Sequence, residues 1–191
     1  PIFTSDHAVF GAGEELTGYV RKPLTQAQVT ATQFFDQVAG AERLTLVGEV
    51  GYSHVSNLGQ NELRFGRAPE FGAGEYPTNS LCTNVANSPN PQECNDTGFY
   101  TNTSWGYRAR AILDYNDAFA GVNLKPNMAW THDVDGYGPT FNEGNKAISV
   151  GVDADYQNTY TASLSYTDSF GCEYNTTIDR DFRASSVGVN F

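Results

Sequence analysis

No stretch of this chain approaches the run of about 18 apolar residues that a membrane-spanning helix requires, so no such helix is expected. Basic residues are scarce. Lys and Arg total 11 against 22 Asp and Glu, giving a formal net charge of −11. A surface that binds phosphates needs clustered Lys and Arg, so nucleic acid is excluded as a partner. Charged residues of both signs make up only 17% of the chain, against about 25% in an average soluble domain. Cysteines number 3, with no CxxC pair and no zinc-knuckle spacing. There are 3 histidines and no GxSxG, which leaves little for a hydrolase to work with. A Gly-rich phosphate loop is missing too, so no step driven by a nucleotide is expected, and no cofactor and no bound metal. The chain starts at Pro1 without a Met or a basic leader, and is expected to be a processed or partial chain.

Gly, Asn, Thr, Ser and Tyr fill the space that charge leaves, the composition of an all-β protein with many turns. Alternation of apolar and polar residues recurs along the chain, the mark of strands whose two faces see different environments. In "AISVGVDADY", Ile148, Val150, Val152, Ala154 and Tyr156 oppose Ser149, Gly151, Asp153 and Asp155. "TYTASLSYT", "WGYRARAILDY", "VNLKPNMAWT" and "LTLVGEVGYS" alternate likewise. "QVTATQFFDQ" is also expected to be a strand, with its facing ambiguous at Phe34 and Phe35. Pro126 lacks a ladder donor, so a bulge or local edge is expected there. The mean hydropathy of −0.44 would ordinarily indicate a soluble protein. Transmembrane strands, however, alternate and leave a much weaker signal than helices.

The connections fall into two kinds. Those near Val38 to Glu42, Asn116 to Gly121 and Gln157 to Asn158 are tight, whereas 57–104, 132–146 and 168–180 are long and polar. Short turns at one end and long loops at the other are the layout of an outer-membrane barrel with periplasmic turns and extracellular loops. Aromatic residues follow the same axis. Tyr52, Trp105, Trp130 and Tyr166 fall toward the long-loop ends, and Tyr115, Tyr156 and Phe191 toward the short-turn ends. Two such bands are expected as girdles at the membrane interfaces, with the apolar face outward. The opposite face then becomes the lumen, carrying Glu49, Arg108, Arg110, Asp114, Lys125 and Asp153, with an ion pair such as Asp114 to Lys125. A polar interior holding its own water explains these charges better than a charged constriction or ligand path does, since polar interiors are normal for such barrels.

The predicted architecture is therefore an all-β antiparallel meander, a transmembrane β-barrel segment spanning 1–191, with 57–104 inserted as a long extracellular loop. Seven strands are expected, with "ELTGYVRK" a weak candidate for an eighth. Single-chain bacterial barrels have even strand numbers and lipid tolerates no open edge, so a second chain or a further amino-terminal half would complete the barrel. The ending "VGVNF", with Val187, Val189 and Phe191 at alternate positions, resembles the carboxy-terminal signal that the barrel assembly machinery recognises. Cys82 and Cys94, twelve positions apart in a polar segment, are expected to form a loop-closing disulfide in an oxidising compartment, worth about 3 kcal/mol in the chain-entropy model. Cys172 is then either free or paired outside this chain.

The segments "LTLVGEVGYSHV", "SWGYRARAILDY", "NLKPNMAWTHDVDGYGP", "FNEGNKAISVGVDADYQNTYTASLSYT" and "YNTTIDRDF" resemble the carboxy-terminal part of a proteobacterial outer-membrane family classed only as a domain of unknown function. Its members in turn resemble the FadL-type barrels. That resemblance implies a channel for hydrophobic small molecules such as lipids, fatty acids or hydrocarbons, set among outer-membrane lipids and lipopolysaccharide in a Gram-negative bacterium. It also implies a periplasmic transport partner. The family supplies no catalytic residues.

Two other readings are weaker. His54, His132, Asp133 and Asp135 lie near the loop end, where an outer-membrane hydrolase would need a base, but no nucleophile motif accompanies them. Asp133, Asp135 and Glu143 in "THDVDGYGPTFNEGN" offer hard oxygen ligands, but the Gly and the closing Glu fall at the wrong spacing for a calcium loop. A water-filled porin or a structural, adhesive surface protein remain the alternatives to a hydrophobic channel.

Overall fold

A computed structural model of the chain describes residues 19–59, 64–72, 74, 95–176, 178 and 180–190. Seven antiparallel strands form one sheet: β1 (Leu24–Val38), β2 (Ala41–Val55), β3 (Thr103–Phe119), β4 (Val122–Asp135), β5 (Lys146–Tyr156), β6 (Tyr160–Phe170) and β7 (Phe182–Val189). Their order in space is their order in sequence, β1 to β7, a meander without crossovers. The sheet is open, with β1 and β7 as its two edges.

Tight turns set the register at one end. Ala39 and Gly40 bridge Val38 to its partner Ala41 with φ of 52° and 80°, and Ala120 and Gly121 bridge Phe119 to Val122 with φ of 50° and 82°. Two consecutive positive φ values are what a two-residue hairpin needs to match the twist of its strands. Gln157 and Asn158, at φ 52° and 54°, turn the chain between Tyr156 and Tyr160.

The structure corrects several details. The tight link expected over Asn116 to Gly121 is mostly strand: β3 continues to Phe119 through a register shift between Tyr115 and Phe119. Asp117, at φ 48°, bends the strand there, and its Oδ1 accepts the Gly121 amide at 2.7 Å. Its turn-like chemistry thus serves the Ala120–Gly121 turn that follows. Thr103 and Ser104 pair with His54 and Ser53, so the first long connection spans 56–102. Pro126 makes no bulge: it pairs in register with Val152 of β5, while toward β3 the ladder passes from Ile112–Asn127 to Tyr115–Leu124 without a partner for Pro126, the local edge expected of a residue that lacks a donor. Tyr19–Lys22, the described part of the eighth-strand candidate, lies outside the sheet.

The register also settles the ambiguous pair in β1. Phe35 pairs with Leu44 on the apolar face, while Phe34 pairs with Thr45 on the polar face, beneath the Arg43 guanidinium 5.6 Å from its ring centroid. Burial is inverted relative to a water-soluble sheet. Along β6, Tyr160, Ala162, Leu164 and Tyr166 are exposed, and the intervening Thr161, Ser163, Ser165 and Thr167 are the more sheltered set. Val29 is 72% exposed and Leu164 57%. Among the described residues, the buried apolar side chains are Ala41, Val55, Phe141 and Tyr174, so no core forms on the apolar face.

Candidate functional site

Three surfaces carry the chemistry of this molecule: the polar face, the aromatic bands and the cluster of long loops. Strand alternation puts Glu49, Arg108, Arg110, Asp114, Lys125 and Asp153 together on the polar face, because their register partners share that side of the pleat. Glu49 lies opposite Arg108 and accepts hydrogen bonds from Gln28 Nε2 at 2.6 Å and Thr30 Oγ1 at 3.2 Å. The Lys125 ammonium sits 3.4 Å from Asp114 Oδ1 and faces Asp153 across the β4–β5 ladder. Asn127 Nδ2 donates to Asp153 Oδ2 at 3.2 Å. Arg110 pairs in register with Val47 and Ala129. Both signs of charge alternate across the strands, so the face is polar without being strongly positive or negative.

On the apolar face the aromatic rings form two groups. Tyr52 stands opposite Trp105 toward the long-loop end. Next to them the Trp130 Nε1–H donates to Tyr107 Oη at 3.3 Å, His132 packs edge-on to Tyr107 at 5.5 Å, and Phe170 lies 6.0 Å from Trp130. Tyr166, nearby, donates to Asp181 Oδ2 at 2.9 Å. At the short-turn end Tyr156 stacks on Tyr160 with centroids 6.4 Å apart, and the Tyr115 hydroxyl donates to the Ala39 carbonyl at 3.0 Å. Tyr107, His132, Phe170 and Tyr160 were not expected among these rings, though each shares the parity of its expected neighbours. Phe191 lies outside the described residues.

The long loops converge above the sheet. Tyr174, 7% exposed, stands edge-on to Phe71 at 5.5 Å and to Tyr137 at 6.1 Å, which joins the β6–β7 loop to the β2–β3 and β4–β5 loops. The Arg67 guanidinium lies 4.8 Å from the Tyr174 ring centroid and 5.0 Å from that of Phe99. It also donates to the carbonyls of Asn95, Thr97 and Phe71. Gly98, at φ +83°, admits the Tyr174 ring so closely that a Cβ there would fall 2.5 Å from it. Burial pushes the Tyr137 phenol above its ordinary pKa, with Cys172 as the next cause. The Cys172 thiol is also raised by burial, partly offset by hydrogen bonds with the Tyr174 backbone and the Tyr137 side chain. Next to this knot lies a cavity of about 420 Å³ lined by Leu58, Phe65, Phe99, Tyr100 and Tyr137, with the Arg64 to Asp96 ion pair and Glu143 at its polar side.

The residues weighed for other chemistry have local partners or face apart. Asp133 is buried and accepts the Asn142 amide at 3.0 Å, and Glu143 accepts the Gly136 amide at 3.2 Å. Among the described residues no group of three acidic, His or Cys side chains is gathered to hold a metal ion. His132 joins the aromatic band, while Asp133 points to the opposite face. Cys82 and Cys94 lie outside the described residues, and Cys172 carries a free thiol.

None of the curated proteins and none of the solved structures matches the chain. A family model does, over residues 2–191, and the chain therefore belongs to DUF1302, a family described as of unknown function.

Proposed function

We propose that this chain forms part of the wall of an outer-membrane β-barrel, long loops outside and tight turns in the periplasm, and that the barrel is a passive route for hydrophobic small molecules. The observation that carries the barrel is the inverted exposure: the apolar side of a seven-stranded meander is bare, and along β2 and β6 the polar side is the more sheltered one. A sheet in water cannot leave so many Val, Leu, Met and aromatic side chains uncovered without a partner, whereas lipid covers them. Strand length agrees. β5 and β6 have 11 residues each, which at about 3.3 Å per residue and a tilt of about 40° gives roughly 28 Å, close to the apolar band of such barrels. Both open edges must pair with further strands, because lipid offers no hydrogen bonds to an unpaired ladder. Val187 and Val189 sit on the apolar face, where an assembly signal for the outer membrane would be read.

The hydrophobic cargo rests on the family resemblance and is supported by the aromatic-lined cavity beside the loop knot, whose wall also carries the Arg64 to Asp96 ion pair and Glu143. A second reading, a water-filled porin, is favoured by the charged polar face. Planar-bilayer recording of the protein purified from outer membranes, paired with native mass spectrometry, separates the two. Low conductance with bound alkyl-chain or lipid masses fits the hydrophobic route. Large ohmic conductance with nothing bound fits the porin and rejects it. Recovery of the protein outside the outer membrane rejects both.

A further inference from the structure

The β4–β5 loop, residues 136–145, does not rise away from the sheet. It folds back across the polar face of strands it does not connect. Phe141 is only 4% exposed, and it reaches this burial by occupying a socket made of missing side chains. A Cβ on Gly51 would fall 2.7 Å from its Cζ, and one on Gly106 2.9 Å from its Cδ1. The Arg108 guanidinium covers the ring at 5.8 Å from the centroid. One residue earlier, Thr140 Oγ1 accepts from Gln26 Nε2 at 2.8 Å, tying the loop to β1. β1 lies three strands away from β4, roughly 14 Å at the ordinary spacing between neighbouring strands. The loop thus crosses β3 and β2 to anchor on the far side of both.

Its backbone is closed on itself as well as on the sheet. Gly138 N–H donates to the Phe141 carbonyl at 2.8 Å and Glu143 N–H to the Gly136 carbonyl at 3.1 Å, while the buried Asp133 carboxylate holds the Asn142 amide. A loop with this many internal bonds and a ring sunk into a glycine socket is a seated element. From these contacts, and resting on the barrel reading above, we infer that residues 136–145 form an inward constriction. The loop narrows the polar passage at the level of Arg108 and Glu49, and Phe141 is the anchor that keeps it there. What it restricts is the passage of hydrated ions and small polar solutes along the charged wall.

The test is single-channel recording of the full-length protein in planar bilayers, with Phe141→Ala to empty the socket and Gln26→Ala to release the tie to β1 without touching it. Insertion is checked separately by the shift in gel mobility on heating that folded barrels show. The expected result is a rise in ion conductance on the order of twofold or more for Phe141→Ala and a smaller rise for Gln26→Ala, since conductance follows the open cross-section. Inserted variants that both conduct like the wild type, or that like it do not conduct at all, would overturn the constriction while leaving the barrel intact. A wild-type protein that shows no mobility shift and does not insert would instead remove the barrel reading, and the constriction with it.

Discussion

Replacing Leu164 by Arg should separate a lipid-facing sheet from a water-facing one by a margin too large to mistake. Leu164 is 57% exposed and sits within β6 between the aromatic rings of Tyr160 and Phe170, beside Val152 and Ser185 in register. On a wetted surface such a substitution shifts stability by about 0.5 kcal/mol or less. At the middle of a bilayer the same Arg costs about 2–4 kcal/mol, which lowers the folding equilibrium constant roughly 30-fold to 900-fold. Ser163→Arg supplies the control one residue away, on the polar face. There the substitution breaks the 2.7 Å hydrogen bond between the Ser163 and Ser186 hydroxyls, a loss of about 1 kcal/mol with no lipid penalty. Urea unfolding in thin-bilayer vesicles, followed by the fluorescence of Trp105 and Trp130, measures both. Equal effects at the two positions, or a larger one at Ser163, would refute the assignment of the faces.

Other outcomes follow from individual contacts. Gly106→Ala brings a Cβ to 2.8 Å from the His132 carbonyl as well as into Phe141, and should cost about 1–3 kcal/mol of overpacking. Gly48→Ala, with nothing within 4 Å, should leave the urea midpoint unmoved. Tyr174→Ala removes the ring shared by three loops and should weaken the knot by about 3 kcal/mol, read as faster proteolysis of the long loops with the strands still protected. Cys172 and Tyr137 hold their protons more tightly when folded. Their contribution is therefore complete below the ordinary thiol pKa of about 8.5 and falls as pH rises through the raised folded values. Maleimide labelling of Cys172 should lag a free thiol at pH 8 and accelerate at alkaline pH; loop protection that increases with pH would contradict this. Lys125→Met breaks a solvent-exposed ion pair and should change stability by no more than about 1 kcal/mol.

The strands were legible because period-two alternation is a local property. Ile148 to Tyr156 declare two faces without reference to anything else in the chain, and a β3–β4 register that pairs Tyr115 with Leu124 leaves Asp114 beside Lys125. The polar pair Asn116 and Asp117 misled, because a residue that accepts a turn's amide carries the same chemistry as one that makes the turn. Phe141 and Tyr174 gave no signal. Each is buried by residues far away in sequence, and the sockets they fill are glycines whose role is visible only when a ring occupies them. Loops have no periodicity to reveal which side chain will turn inward.

The meander has a kinetic corollary. Every ladder joins neighbours in sequence, and the β1–β2, β3–β4 and β5–β6 hairpins close across tight turns, contacts of the kind that form fast. The Gln26 to Thr140 bond spans 114 positions and cannot form until β1, β2 and β3 are assembled beneath it. Seating of Phe141 is thus the late event of folding, and a chain whose first strands are misregistered would finish every later hairpin and still fail to lock that ring. The glycine socket doubles as an inspection of the strands that build it.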